Sequence, residues 1–246
     1  MNTKLDKNFF QDLLEKFNFK ISKNYKLFLF MGLLGDFDSI EYALNLSKFI
    51  NENKLSDKLD ICIIAIGNAS GKEKFCRFTG ICEDNIRTVD NNEVHKLVGG
   101  CEGLNIGFGG WVNMLLMLSG INSPNTLKEV IRGYIGDRNS DPIYNSQDEI
   151  NLFNFFKFSG KLFEKTFGKG YLRPFELATF RLTNMVEIIQ NWNDYILEPK
   201  YLPQRTSTFI INEQNEIIYK YISKDILSYS KQMNKPLSFL NQNLNK

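Results

Sequence analysis

LFLFMGLLGDFDSIEYAL, from Leu27 to Leu44, decides the reading of the fold: an apolar run breaks at Gly35-Asp36-Phe37-Asp38, and apolar residues then return at helical spacing. That is a buried strand feeding the N-terminus of a helix, a place where α/β proteins hold reactive groups. YKLFLFMG (25–32) predicts the strand. Asp38 is expected as the N-cap, with Glu41 three residues later completing a capping box, and the helix is expected to run to about Asn53. LDICIIAIG (59–67) is β-branched and almost wholly apolar, as in a parallel strand buried on both faces. The three elements form a βαβ unit.

Outward from this unit, LDKNFFQDLLEKF (5–17) reads as a helix, as does the stretch from about Ser70 to Phe78; a short strand around Ile86 to Val89 and a helix NEVHKLVG follow. STFIINEQNEIIYKYI (207–222) is a hairpin turning around Asn212 to Asn215, with a helix expected from about Asp225. Between them, WVNMLLMLSG, SPNTLKEVIRGY, INLFNFFKFSGKLF and PFELATFRLTNMVEIIQNWNDYI carry helical signals. Ser123 and Pro124 are placed as N-cap and N1, and Leu177 to Tyr195 is the clearest amphipathic helix. A structureless loop of that length is implausible. Residues 1–102 and 204–246 are therefore expected to make one α/β domain, with 103–203 as a long helical insertion.

Composition narrows the function classes. With 43% hydrophobic and 13% aromatic residues, the 246-residue chain can build a real core. Thirty basic against twenty-eight acidic side chains give a formal charge of +2, which argues against nucleic acid or an acidic membrane as partner. The first twenty residues fit neither a signal nor a transit peptide, and no stretch has the apolar length of a membrane span, so a cytoplasmic location is expected. Four cysteines (Cys62, Cys76, Cys82, Cys101) without a CxxC pair, and one histidine, make neither a disulfide scaffold nor a zinc site. No metal or cofactor is called for.

LLGDFDSIEYA (33–43), AIGNASGKEKFCRFTG (65–80), NMLLMLSGINSPNTLKEVIRGYIGDR (113–138), RPFELATFRLTNM (173–185), QRTSTFII (204–211) and NKPLSFL (234–240) together carry a resemblance. As a set they resemble the peroxiredoxin-like AhpC/TSA family of cyanobacteria and plastids, related to the peroxiredoxin-like 2 group. The resemblance implies a thioredoxin-like fold: a central mixed sheet, a C-terminal β-hairpin and helix, and an elaborated insertion. It also implies an antioxidant thiol oxidoreductase, a thiol reductant such as thioredoxin as partner, and a homodimer.

Peroxiredoxins hold their peroxidatic cysteine in the first turn of the helix after this strand, where the helix N-terminus favours the thiolate. Here that turn is Gly35-Asp36-Phe37-Asp38-Ser39, without a cysteine. Arg205 matches the arginine of the family's R-x-x-F-I-I segment and is expected to pair with Asp36 or Asp38, keeping the charge arrangement without the nucleophile. The remaining redox candidate is Cys76, in the F-C-x-x-T-G pattern of Phe75, Cys76, Thr79 and Gly80, with Cys82 six residues on as a bridging partner. Its place late in a helix is a poor one for activating a thiol. The alternative is a non-catalytic binding protein whose site is lined by Asp36, Asp38, Ser39 and Arg205. A second alternative is a haloacid-dehalogenase-type phosphatase, because strand-then-Asp36-Phe37-Asp38 resembles that superfamily's opening motif and Gly136-Asp137 to Asp141 its later metal motif; Asp36 and Asp38 would then work with Mg²⁺.

Other polar groups read as anchors or ligand contacts. Asp137 and Arg138 in GDRNSDP are expected to pair and pin the insertion to the sheet, and Arg173 with Glu176 to form an ion pair one helical turn apart. His95, Cys62 and Cys101 are expected to be structural. Phe153, Phe155, Phe156, Phe158, Phe163 and Phe167 are expected in the core or a subunit interface.

Overall fold

The computed structural model describes residues 8–53, 58–152 and 156–244. β1 (Tyr25–Leu33) is apolar apart from Tyr25 and Lys26, and from Lys26 onward it is buried throughout. Such a strand is stable only between two other strands and two covering layers. It takes the middle of a five-stranded sheet of order β3-β2-β1-β6-β7. β2 (Leu59–Ile66) pairs parallel with β1, and β3 (Ile86–Val89) parallel with β2. β6 (Ser207–Ile211) runs antiparallel beside β1, and β7 (Ile217–Ile222) antiparallel beside β6. The result is a mixed α/β fold.

The strand's alternation sorts its side chains between two cores. Phe28 and Phe30 meet Phe10, Leu13 and Leu14 of α1 (Phe9–Lys16) and Val94 of α4 (Glu93–Leu97). Leu27, Leu29 and Met31 belong to the other core, with Ile40, Tyr42 and Leu46 of α2 (Phe37–Asn53) and Phe75 of α3 (Ala69–Thr79). α2 and α3 are the crossovers of the parallel strands. The early elements thus follow the sequence reading, residues 5–7 of the first helix lying outside the described residues.

α2 opens differently from expectation. Asp36, not Asp38, holds the N-cap position: its N–H turns back to the Leu33 carbonyl (2.9 Å) and its carbonyl accepts the Ile40 N–H (3.2 Å). Glu41 closes no capping box. Its carboxylate takes the guanidinium of Arg181 on α8 (Glu176–Gln190), at 2.7 Å to Nε and 3.2 Å to Nη2. A buried cation across the interface outcompetes a backbone amide for the same carboxylate.

Residues 103–203 contain α5 (Gly110–Leu118), α6 (Pro124–Ile135), α7 (Lys161–Phe167), α8 and α9 (Trp192–Tyr195), but they are not purely helical. INLFNFFKFSGKLF forms the hairpin β4 (Glu149–Leu152) and β5 (Phe156–Ser159), and only its end enters α7. Periodicity cannot separate a short aromatic run in a hairpin from a buried helix. Of the aromatic stripe, Phe163 is buried and Phe156 exposed, while Phe153 and Phe155 lie outside the described residues. The long amphipathic helix stops at Asn191, whose Nδ2 bonds back to the Glu187 carboxylate and whose Oδ1 accepts from Lys74. Trp111 of α5 stacks on Trp192 of α9 at 4.7 Å.

The helix expected from Asp225 begins only at Ser238, as α10 (Ser238–Leu244). The intervening chain is occupied elsewhere: the Asp225 carboxylate accepts from Asn125, the Ile226 N–H donates to Ser123 Oγ, and the Ile226 carbonyl accepts from Thr126 Oγ1. Ser123 precedes Pro124 at the start of α6 as expected, yet its hydroxyl serves this tie and not its own helix. The insertion is therefore fastened to α2 through Arg181, to α3 through Lys74, and to the chain after β7 through Ser123 and Thr126. Removing one partner of a buried ion pair strands the other charge. Arg181→Ala is expected to cost about 3–5 kcal/mol in denaturant unfolding, with Glu41→Gln milder because the amide stays uncharged.

Candidate functional site

The antiparallel register brings Arg205 to the mouth of α2. Phe30 faces Ser207 in the β1–β6 ladder, so the residues preceding β6 run beside the end of β1. Gly32 makes room there, since a Cβ on it would stand 2.6 Å from the Gln204 carbonyl oxygen, and the β1–β2 register slips at this point. Arg205 N–H donates to the Cys101 carbonyl (2.8 Å). Its side chain then turns inward.

Arg205 Nη1 reaches Asp38 Oδ2 at 2.9 Å and Nη2 reaches Asp36 Oδ1 at 3.2 Å. Nε donates to the Pro203 carbonyl and Nη2 also to the Leu202 carbonyl. The expected pairing is thus present, and with both carboxylates. All three side chains are buried, Arg205 and Asp38 fully so. One cation meets two potential anions, and Asp36 Oδ2 and Asp38 Oδ1 have no hydrogen-bond partner. Burial is the main force on both carboxyls and pushes them up, Asp38 to about 8, where the Asp36 and Glu41 charges add and Arg205 opposes. Both carboxyls are therefore held toward the protonated form. Ser39 lies beside them in the first turn, buried, with no partner for its hydroxyl.

A ligand-lined site at these four residues is not what the geometry offers, because they are sealed from solvent. Nor do they suit Mg²⁺. Both carboxylates face a guanidinium, and among the described residues no three His, Cys, Asp or Glu side chains are placed to hold a metal. The segment before Gly136 is helix α6, where the phosphatase motif needs a strand. Asp137 is engaged by the Asn139 N–H (2.9 Å) and the Ser140 hydroxyl (2.7 Å), with Arg132 at 3.8 Å. The expected Asp137–Arg138 pair does not form: Arg138 is exposed and lies over the Tyr171 ring. Arg173 and Glu176 do pair, both buried, and Glu176 also accepts the Ile143 and Tyr144 N–H groups, so this pair folds the loop before β4.

None of the four thiols occupies the mouth of α2. Cys76 is buried in the last turn of α3, where Gly80, at φ +75°, takes the left-handed cap and donates to the Cys76 carbonyl (2.8 Å). Burial, with the Glu83 charge adding, pushes its thiol up to about 11. Cys82 is exposed; the helix ends between the two, and both are free, so no bridge joins them. Cys62 is buried in β2 and its thiol is also raised by burial. Cys101 is half-buried; its sulfur accepts the Gly103 N–H at 3.3 Å, and its carbonyl binds Arg205 N–H and Gln204 Nε2. The turn Gly99-Gly100-Cys101 signalled tight backbone but not this neighbourhood. His95 is structural as expected, its Nε2–H donating to the Met31 carbonyl at 2.6 Å, and burial lowers it to about 4.

The open surface nearby is a groove of about 850 Å³ between α2, the loop before β4, α8 and the chain before α10. Asn45, Tyr144, Phe180 and Tyr229 line it. Its size suits a small organic ligand. Sequence spacing could not find it, since its walls come from four distant segments. No family model, curated protein or solved structure matches the chain.

The raised Asp38 carboxyl has a consequence for stability. The folded Asp38 carboxyl holds its proton up to about pH 8, against 3.8 for an ordinary one, so stability falls as pH rises between those values. His95 acts oppositely and only between about 4 and 6.5. From pH 6.5 to 8 the protein is therefore expected to lose stability in denaturant melts, and Asp38→Asn to flatten that slope; a flat wild-type profile would contradict the raised Asp38 carboxyl.

Proposed function

We propose that this is a peroxiredoxin-like, thioredoxin-fold protein that has given up thiol turnover and works by binding. The fold reading is supported by a parallel βαβ unit continued on one edge by an antiparallel hairpin and closed by a terminal helix. The observation that carries the functional reading is Arg205 locked against Asp36 and Asp38 where a thiolate would stand. Four of its five N–H bonds are committed, which leaves little to hold a peroxide. Carboxylates in this field cannot cycle with a thiol reductant. Binding is then assigned to the groove between α2 and α8, the accessible concavity beside the sealed triad.

A second reading rests on Cys101, half-buried, with an amide on its sulfur and its carbonyl bound by the Arg205 N–H. There a thiol would work from the loop and not from the helix. Peroxide consumption in the presence of thioredoxin and its reductase separates the two. Wild type, Cys76→Ser and Cys101→Ser are expected to match the protein-free rate. Turnover abolished by Cys101→Ser would establish the second reading, and turnover abolished by Cys76→Ser would return the chain to the thiol peroxidases.

A further inference from the structure

Helix α6 is built inside out. Apart from Val130, which packs on the core, its inward face is polar or bare: Thr126 bonds the Ile226 carbonyl, Glu129 holds Arg132 at 2.7 Å, and Gly133 packs near Ala178. Its outward face carries Leu127, Ile131, Tyr134 and Ile135, each about half exposed or more. The spacing of the first three alternates four and three residues, a continuous apolar stripe along the helix. Phe175, half exposed, extends that stripe by meeting Tyr134 at 6.0 Å and Phe167 of α7 at 6.2 Å.

α7 meets this apolar surface through Phe167 and carries positive charge on its exposed side. Lys157 precedes the helix on β5, and Lys161, Lys165 and Lys169 follow at intervals of four, all exposed. The acids of the two helices are turned away from partners outside: Glu129 is held by Arg132 and Arg181, and Glu164 by Lys169 and Arg173. The small net charge of the whole chain conceals this local row.

We propose that the outward stripe of α6, with Phe175 and the α7 lysines, docks the protein on an anionic phospholipid bilayer. Apolar and aromatic side chains beside a lysine row match a headgroup layer, which supplies apolar depth and negative charge together. A second copy of the chain supplies the apolar half only, because neither helix offers free acids to meet the lysines.

Flotation of the full-length protein with vesicles of equimolar phosphatidylglycerol and phosphatidylcholine tests this. Wild type is expected to float with these vesicles, to release as salt is raised, and to float far less with pure phosphatidylcholine. Ile131→Glu is expected to weaken binding on the order of tenfold, and Lys161→Glu with Lys165→Glu by about fivefold or more for each lysine. All three positions are exposed, and unchanged far-UV circular dichroism confirms folding. Absence of wild-type binding at low salt overturns the proposal, as does binding that Ile131→Glu leaves intact. A concentration-dependent dimer that Ile131→Glu dissociates, without vesicle binding, gives the face to a second copy and overturns it too.

Discussion

The position of Arg205 is the constraint around which the rest is arranged. A fully buried guanidinium is tolerable only when its charge and nearly all its donors are met. Meeting them requires the end of β1, the start of α2 and the approach to β6 to converge at one point, with Gly32 leaving space for the crossing chain. Any slip of β6 by one residue would move Arg205 to the opposite face of the sheet. The triad therefore specifies the register of β6 at the mouth of α2.

The insertion depends on the same economy of buried charge. Arg181 reaches Glu41 on α2 and the carbonyl of Glu129 on α6, so one side chain joins three helices. Arg173 and Glu176 do the same for the loop before β4, with the backbone of Ile143 and Tyr144 as additional partners. Both clusters border the groove. Its shape is accordingly set by ion pairs, which stiffen it through directional contacts that a purely apolar packing would lack.

Much of the sheet was legible because β1 and β2 are buried on both faces and leave uninterrupted apolar runs, and because the turn between β6 and β7 is rich in asparagine. The pairing of Arg205 with Asp36 or Asp38 rested on the resemblance carried by QRTSTFII, and the structure joins the arginine to both. What escaped the reading involved competition between partners. Glu41 pairs with a distant arginine and not with the start of its own helix; the Ser123 hydroxyl makes no cap bond and holds Ile226. The β4–β5 hairpin was hidden by its phenylalanines, which satisfy helical and extended spacing alike. The groove was illegible for a different reason, since concavity is a property of packed elements and not of any one of them.

The stacked pair of Trp111 and Trp192 deserves a last consequence. The chain has two tryptophans, and both sit in this one joint between α5 and α9. Indole emission is thus a local reporter, bright or quenched according to whether the inserted helices stay docked on the core. A fluorescence melt and a far-ultraviolet melt of the same sample would follow different parts of the molecule, and any gap between their midpoints would measure how independently the insertion comes away.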